Sequence, residues 1–181
     1  MISLNEAVRN NDLQQVKRIV DRYIVGNFLN RKDFFNQKDE ALIIASDNGY
    51  LDIVKYLAEH NADIHAHDDI ALRWAVEGSH FDVVKYLVEQ GINIHRDCDD
   101  IITSAAGQKN LEILKYLVEH GVNIHASNDY AIEYAVENDR LDNFKYLISL
   151  FTKTELIKLL LQYKGLYINF LILERLYNGS Y

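Results

Sequence analysis

Apolar positions recur along this chain with a helical spacing that restarts at a fixed interval. In one thirty-residue stretch, Ala71, Leu72, Ala75 and Val76 form a narrow stripe of small and aliphatic side chains. Gly78, Ser79 and His80 interrupt it, and Phe81, Val84, Leu87 and Val88 form a second stripe that stops at Gly91. The pattern predicts two short helices, with Asp69 as N-cap of the first and Gly91 as the left-handed stop of the second. The link from Gly91 to Asp99 carries Ile92 and Ile94 in alternation, which suits a strand-like turn.

The unit repeats without slipping. Lys-Tyr-Leu begins at Lys55, Lys85, Lys115 and Lys145, each thirty residues from the last. In the same register stand Asp39, Asp69, Asp99 and Asp129; Ala45, Ala75, Ala105 and Ala135; Leu51, Phe81, Leu111 and Leu141; and Ile64, Ile94 and Ile124. A helix pair this short has one apolar face and buries it only against its neighbours, each buried Leu such as Leu57, Leu87 or Leu117 gaining roughly 1.5–3 kcal/mol. Alanine at Ala45, Ala75 and Ala135 lets stacked helices approach closely, so a bulky residue there is expected to be among the most damaging changes. Asp82 with Lys85 and Lys85 with Glu89 sit three and four apart on the second helix, and the repeated lysines read as a solvated back.

The ends vary the theme. Ser3 with Glu6 makes a capping-box pattern, and Ala7, Leu13 and Val16 align with Ala45, Leu51 and Val54 at a spacing of 38, so the first unit carries eight extra residues between Tyr23 and Asp39. Thr152 with Glu155 starts a new helix, Gly165 ends it, and Leu166 to Tyr177 reads as a last one. The expected organisation is a single domain over residues 1–181: a capping repeat at 1–38, repeats at 39–68, 69–98, 99–128 and 129–151, and a helical cap at 152–181. That cap is more apolar outside than a seal requires, which leaves a docking role for it open, homo-oligomeric or otherwise.

Composition narrows the chemistry. The 181 residues are 49% hydrophobic and 25% charged, as in ordinary globular proteins, and the net charge of -8 argues against nucleic acid or an anionic membrane as partner and slightly favours a basic one. One cysteine, Cys98, permits no intramolecular disulfide and suits a reducing, intracellular setting. No stretch approaches the roughly 20 apolar residues of a membrane span, and Met1 to Asn10 lacks the features of a signal peptide. Asn178-Gly179-Ser180 then reads as a turn, not a glycosylation site.

His65, His95 and His125 recur in register, with His67 close by, and invite a metal reading. Stacked units about 8–10 Å apart cannot bring equivalent imidazoles to about 2.0–2.1 Å from one ion, so each ring is expected to hydrogen-bond within its turn, while His60 and His120 close second helices. No Gly-rich phosphate loop, His-Glu-x-x-His or paired-Cys motif is present, so neither a catalytic residue nor a cofactor is expected.

The blocks Phe81-Asp82-Val83-Val84-Lys85-Tyr86-Leu87 and Gly91-Ile92-Asn93-Ile94-His95, with their counterparts Leu51 to Leu57 and Gly121 to His125, resemble the ankyrin repeat family over about Met1 to Leu150. The resemblance implies an all-α solenoid that binds a protein partner on its concave side. Family units usually run to 33 residues and open on Thr-Pro-Leu-His; these run to 30, the chain has no proline, and the deficit falls between Asp68 and Leu72, implying blunt turns in place of hairpin fingers. This form, rich in Asn, Tyr and Ile, is similar to ankyrin proteins of amoebal giant viruses, which implies a viral protein acting in a host cell.

Carried onto this chain, the resemblance places Asp47-Asn48, Glu77-Gly78, Gly107-Gln108 and Glu137-Asn138 on the concave side, flanked by His67, Arg96, Asp97, Ser127 and Asn128. Trp74 and Tyr134 stand one turn earlier, with Ile44 and Ser104; either aromatic can anchor a partner or pack between units. With Arg73 and Arg96 as the main cations, the surface is mildly acidic and suits a basic or mixed-charge host segment. The expected partner-binding residues are therefore Asp47, Asn48, Arg73, Trp74, Glu77, Arg96, Gln108, Tyr134, Glu137 and Asn138. Two other readings stay open: a substrate-recruiting adaptor of a ubiquitin ligase, although Leu156 to Tyr177 lacks the proline-bearing start of an F-box, and a structural component that self-associates through Leu166 to Tyr177.

Overall fold

A computed structural model describes residues 2–25, 31–95, 98–162 and 166–178. It is all-α: twelve helices and, among the described residues, no strand. They form two compact units, Met1–Arg96 and Asp97–Tyr181.

The first unit holds α1 (Leu4–Arg9), α2 (Leu13–Val25), α3 (Arg31–Asp47), α4 (Leu51–Glu59), α5 (Ala66–Glu77) and α6 (Phe81–Glu89). Odd helices pack in one row, α1 on α3 on α5, and even helices in a second, α2 on α4 on α6. The core follows most of the predicted stripes: Ala45, Val54, Leu57, Ala75, Val84 and Leu87 are all sealed from solvent, whereas Phe81 and Val88 are only half-buried and Val83 is buried with them. The eight extra residues lengthen α2 and α3 on either side of positions 26–30, which lie outside the described residues. Buried Lys38 on α3 donates to the carbonyls of His60 and Asn61, closing the end of α4. Burial pushes its ammonium pKa down.

The second unit holds α7 (Cys98–Gly107), α8 (Leu111–Glu119), α9 (Ala126–Glu137), α10 (Leu141–Ser149), α11 (Lys153–Gln162) and α12 (Leu166–Asn178). Here α7 packs on α9, α8 on α10, and α12 on both α10 and α11. Ala105, Leu117, Ala135 and Leu147 are fully buried, and Leu156, Leu159, Leu171 and Ile172 continue the core into the last pair.

Second helices begin and end close to prediction, with Gly91 and Gly121 left-handed after α6 and α8 and Asn61 taking that conformation after α4. First helices depart from expectation. Asp69 is not an extended N-cap: His67, Asp68 and Asp69 all lie in the left-handed region, at φ 54°, 58° and 61°, and Ser127, Asn128 and Asp129 repeat this at 48°, 59° and 65°. Three such residues in a row strain an L-chain, least where Asp and Asn supply them. The His65 ring donates through Nδ1 to Asp69 Oδ1 at 2.7 Å, and His125 to Asp129 at 2.8 Å, so each turn is clipped at its base. These knots stand where the shortened fingers were expected.

The predicted strand-like link is also corrected. Turns at Gly91 and at Ile94–His95 flank Ile92 and Asn93, and Asn93 Oδ1 accepts the His95 N–H at 2.9 Å, so the backbone closes locally. Ile92 and Ile94 are buried as the alternation suggested.

The lysine ladder is more than a solvated back. Lys17 lies 5.4 Å from the Tyr56 ring centroid, Lys55 lies 5.7 Å from that of Tyr86, and Lys115 the same distance from Tyr146. Each lysine thus sits over the tyrosine of the next Lys-Tyr-Leu copy, a cation–π contact between neighbouring pairs. The Tyr56 hydroxyl donates to Asp21 at 3.2 Å; burial, the Asp21 charge and this bond push its pKa to about 12. Lys85 pairs with Glu89, at 4.0 Å on an exposed face.

Candidate functional site

A polar concavity of the first unit lies across the row of odd helices and has a volume of about 560 Å³. Helix α1 contributes Asn5 and Arg9; α3 and its end contribute Glu40, Ile43, Ile44, Asp47 and Asn48; α5 contributes His67, Ile70 and Trp74. The register explains the geometry. Core positions of the first helices, such as Ala41, Leu42, Ala45, Ala71, Leu72 and Ala75, point into the stack, and the residues between them are left to line the opposite face.

Of the expected binding residues, this groove brings together Asp47, Asn48 and Trp74, with His67 flanking as anticipated. Asp47 is exposed and Trp74 half-buried. Asn48 turns its amide back to donate to the Ile44 carbonyl at 2.8 Å, which closes the end of α3 and leaves the amide oxygen for other partners. Arg73 and Glu77 also lie on α5, half-buried and exposed respectively, but are not among the lining residues. Arg96 lies outside the described residues.

Asn5, Arg9 and Glu40 were missed. Arg9 falls in the Asp47 and Glu77 row once the spacing of 38 found for the first unit is applied, so this signal was present in the register. Glu40 was hidden because position 40 precedes the alanine stripe of its helix. Asn5 Nδ2 donates to Glu40 Oε2 at 3.2 Å, while Asn5 Oδ1 is buried with no hydrogen-bond partner.

An imidazole locks the rim of this unit. His80 Nε2 donates to the Asp47 carbonyl at 2.9 Å, and the ring fills the space beside Gly49, where a Cβ would lie 2.4 Å from His80 Nδ1. With φ at +72° the position favours glycine, and the His80 ring leaves no room there for a Cβ unless it shifts.

In the second unit Tyr134 lies against Gly107, whose Cβ would fall 2.4 Å from Tyr134 Cε1. Its backbone carbonyl accepts from Asn138 Nδ2 at 2.8 Å. The Tyr130 ring is 5.9 Å from that of Tyr134, and its hydroxyl reaches exposed Glu137 at 3.5 Å. The negative charge of Glu137 raises the Tyr130 pKa. Gln108 is half-buried, and its carbonyl accepts from buried Asn143 at 2.8 Å. Tyr134, Glu137 and Asn138 are thus neighbours, whereas Gln108 serves the packing through its backbone.

Separately, α12 exposes Phe170, Leu173 and Tyr177, which with Glu174 and Leu176 line a second concavity of about 470 Å³. Among the described residues, no group of three potential metal ligands gathers, and no helix is long and apolar enough to cross a membrane.

Comparison with known proteins accounts for the repeat. A family model for ankyrin repeats (3 copies) matches residues 4–98, and another for ankyrin repeats (many copies) matches residues 102–148. The first spans the three helix pairs that build the groove, and the second takes in most of α7–α10. On its helix pairs, its register and these matches, the chain belongs to the ankyrin repeat family.

Proposed function

We propose that this chain is a non-catalytic protein-binding module and that a segment of its partner lies in the groove of the first unit. The carrying observation is that Asp47, Asn48 and Trp74, none needed for the alanine and leucine core, line one concavity of about 560 Å³. Such a volume accommodates a few side chains of a partner, and a half-buried tryptophan beside carboxylates is the composition of an interface anchor. The resemblance to giant-virus ankyrin proteins supports a eukaryotic host protein as the partner. Affinity capture from a eukaryotic lysate with wild type and with an Asp47→Lys, Trp74→Ala double variant tests this. The variant is expected to lose the captured partner while keeping its helical circular dichroism; unchanged capture rejects the groove.

A second reading, self-association, is favoured by α12, where Phe170 is 62% and Tyr177 92% exposed. It predicts that light scattering detects a dimer of the wild type and a monomer of Phe170→Ser with Tyr177→Ser.

A further inference from the structure

We infer that the groove between α1, α3 and α5 is an arginine site, taking one guanidinium of an otherwise apolar partner segment. The inference rests on the protein-binding reading and adds the chemistry of the occupant. Its first support is an unmet acceptor. Asn5 commits its amide NH₂ to Glu40, which turns Oδ1 the other way, and that oxygen is buried without a partner. A buried acceptor without a donor is costly, and because Asn5 lines the groove, a rotation of its amide that brings Oδ1 to the groove surface lets an incoming N–H group meet it.

Charge and shape then select the donor. Glu40 and Asp47 line the same groove, both on the exposed side of α3. Among the described residues the Asp47 carboxylate has no ion-pair partner. Trp74, of the side-chain type that makes the best cation–π platform, lines the same groove. Acceptors on α1 and α3 and a ring on α5 ask for a flat cation with donors on several edges. A guanidinium has five donors in a plane and stacks on aromatic rings, whereas an ammonium is a compact point charge.

The remaining lining residues set the context of that arginine. Arg9 already gives the groove one positive group, which disfavours a polybasic run, and Ile44 and Ile70 present apolar surface for its flanks. The occupant is therefore a single arginine between apolar residues.

Trp74 is the one tryptophan of the chain, so its fluorescence reports on this site alone. The full chain is titrated with acetylated, amidated pentapeptides of sequence Ala-Leu-X-Leu-Ala, where X is arginine, lysine or the neutral isostere citrulline. The arginine peptide is expected to give a saturable change, with the citrulline peptide about ten-fold or more weaker and the lysine peptide between them. Asp47→Asn with Glu40→Gln, two exposed positions, is expected to bring the arginine peptide to the citrulline level. Asn5→Ala weakens arginine more than lysine. Equal binding of arginine and citrulline, equal binding of arginine and lysine, or an unaffected carboxylate variant overturns the inference. Loss of partner capture in the Trp74 variant without any arginine preference leaves the binding module standing and removes only the arginine; arginine binding with capture unaffected does the reverse.

Discussion

Asn143 shows how one residue can carry a joint between two helix pairs. Its register companions are Ile53, Val83 and Ile113, all buried, so the pattern leads one to expect an aliphatic residue. Asn143 is 2% exposed instead, and its Nδ2 faces the carbonyls of Ala105, Ala106 and Gln108 at 3.2, 2.9 and 2.8 Å. Those carbonyls belong to the last turn of α7 and the residue just past it, where a helix runs out of its own donors. Asn143→Ala is expected to cost about 1–3 kcal/mol in urea unfolding, since it strips a buried donor and leaves acceptors unmet. A change of only a few tenths would show that water serves them equally well. Arg140 acts nearby in the same way, donating through Nε to the Gly107 carbonyl at 3.1 Å, as His80 does to Asp47 in the first unit. The sequence displays these residues in register, but a side chain that reaches 33 to 38 positions back has no local signature.

At the level of elements, caps were the most legible features because their chemistry is contained in four residues. Ser3 Oγ accepts the Glu6 N–H at 3.2 Å, and the box at Thr152 is complete: Oγ1 accepts the Glu155 N–H at 3.3 Å while Glu155 Oε2 accepts the Thr152 N–H at 2.7 Å. The hydrogen bonds from Thr152, side chain first, hold the Glu155 carboxyl below its ordinary pKa. A depressed folded-state pKa means the cap is fully in place above the unfolded value and is lost as pH falls through the folded one. Amide exchange in α11, corrected for intrinsic rates, is therefore expected to lose protection below the usual glutamate range, and the Glu155→Gln variant to be flat there. Matching profiles would deny the carboxylate its role. The starts of α5 and α9 were less legible. Asp69 and Asp129 look like N-caps by type, yet each answers a histidine four residues earlier, a choice made by the left-handed backbone and not by residue type.

For the whole molecule, burial is a matter of neighbours. The last pair, α11 and α12, buries Leu156, Leu159, Leu171 and Ile172, and α12 packs on α10. Removing residues 152–181 is expected to lower the thermal midpoint by on the order of 10 °C, because several buried aliphatic side chains lose their partners. An unchanged midpoint would mean that the pair does not seal the stack. The sequence by itself determined that helix pairs recur every thirty residues, most of the core positions, where second helices start and stop, and which first-helix positions fall outside the core. These follow from spacing and from cap chemistry, both local along the chain. Only the tertiary structure decided which free residues meet: that Asn5 and Glu40 join Asp47 and Trp74 around one groove, that lysines lie over the next tyrosine, and that the blunt turns are left-handed. Each depends on how closely one pair sits on the next, a distance that no single repeat encodes.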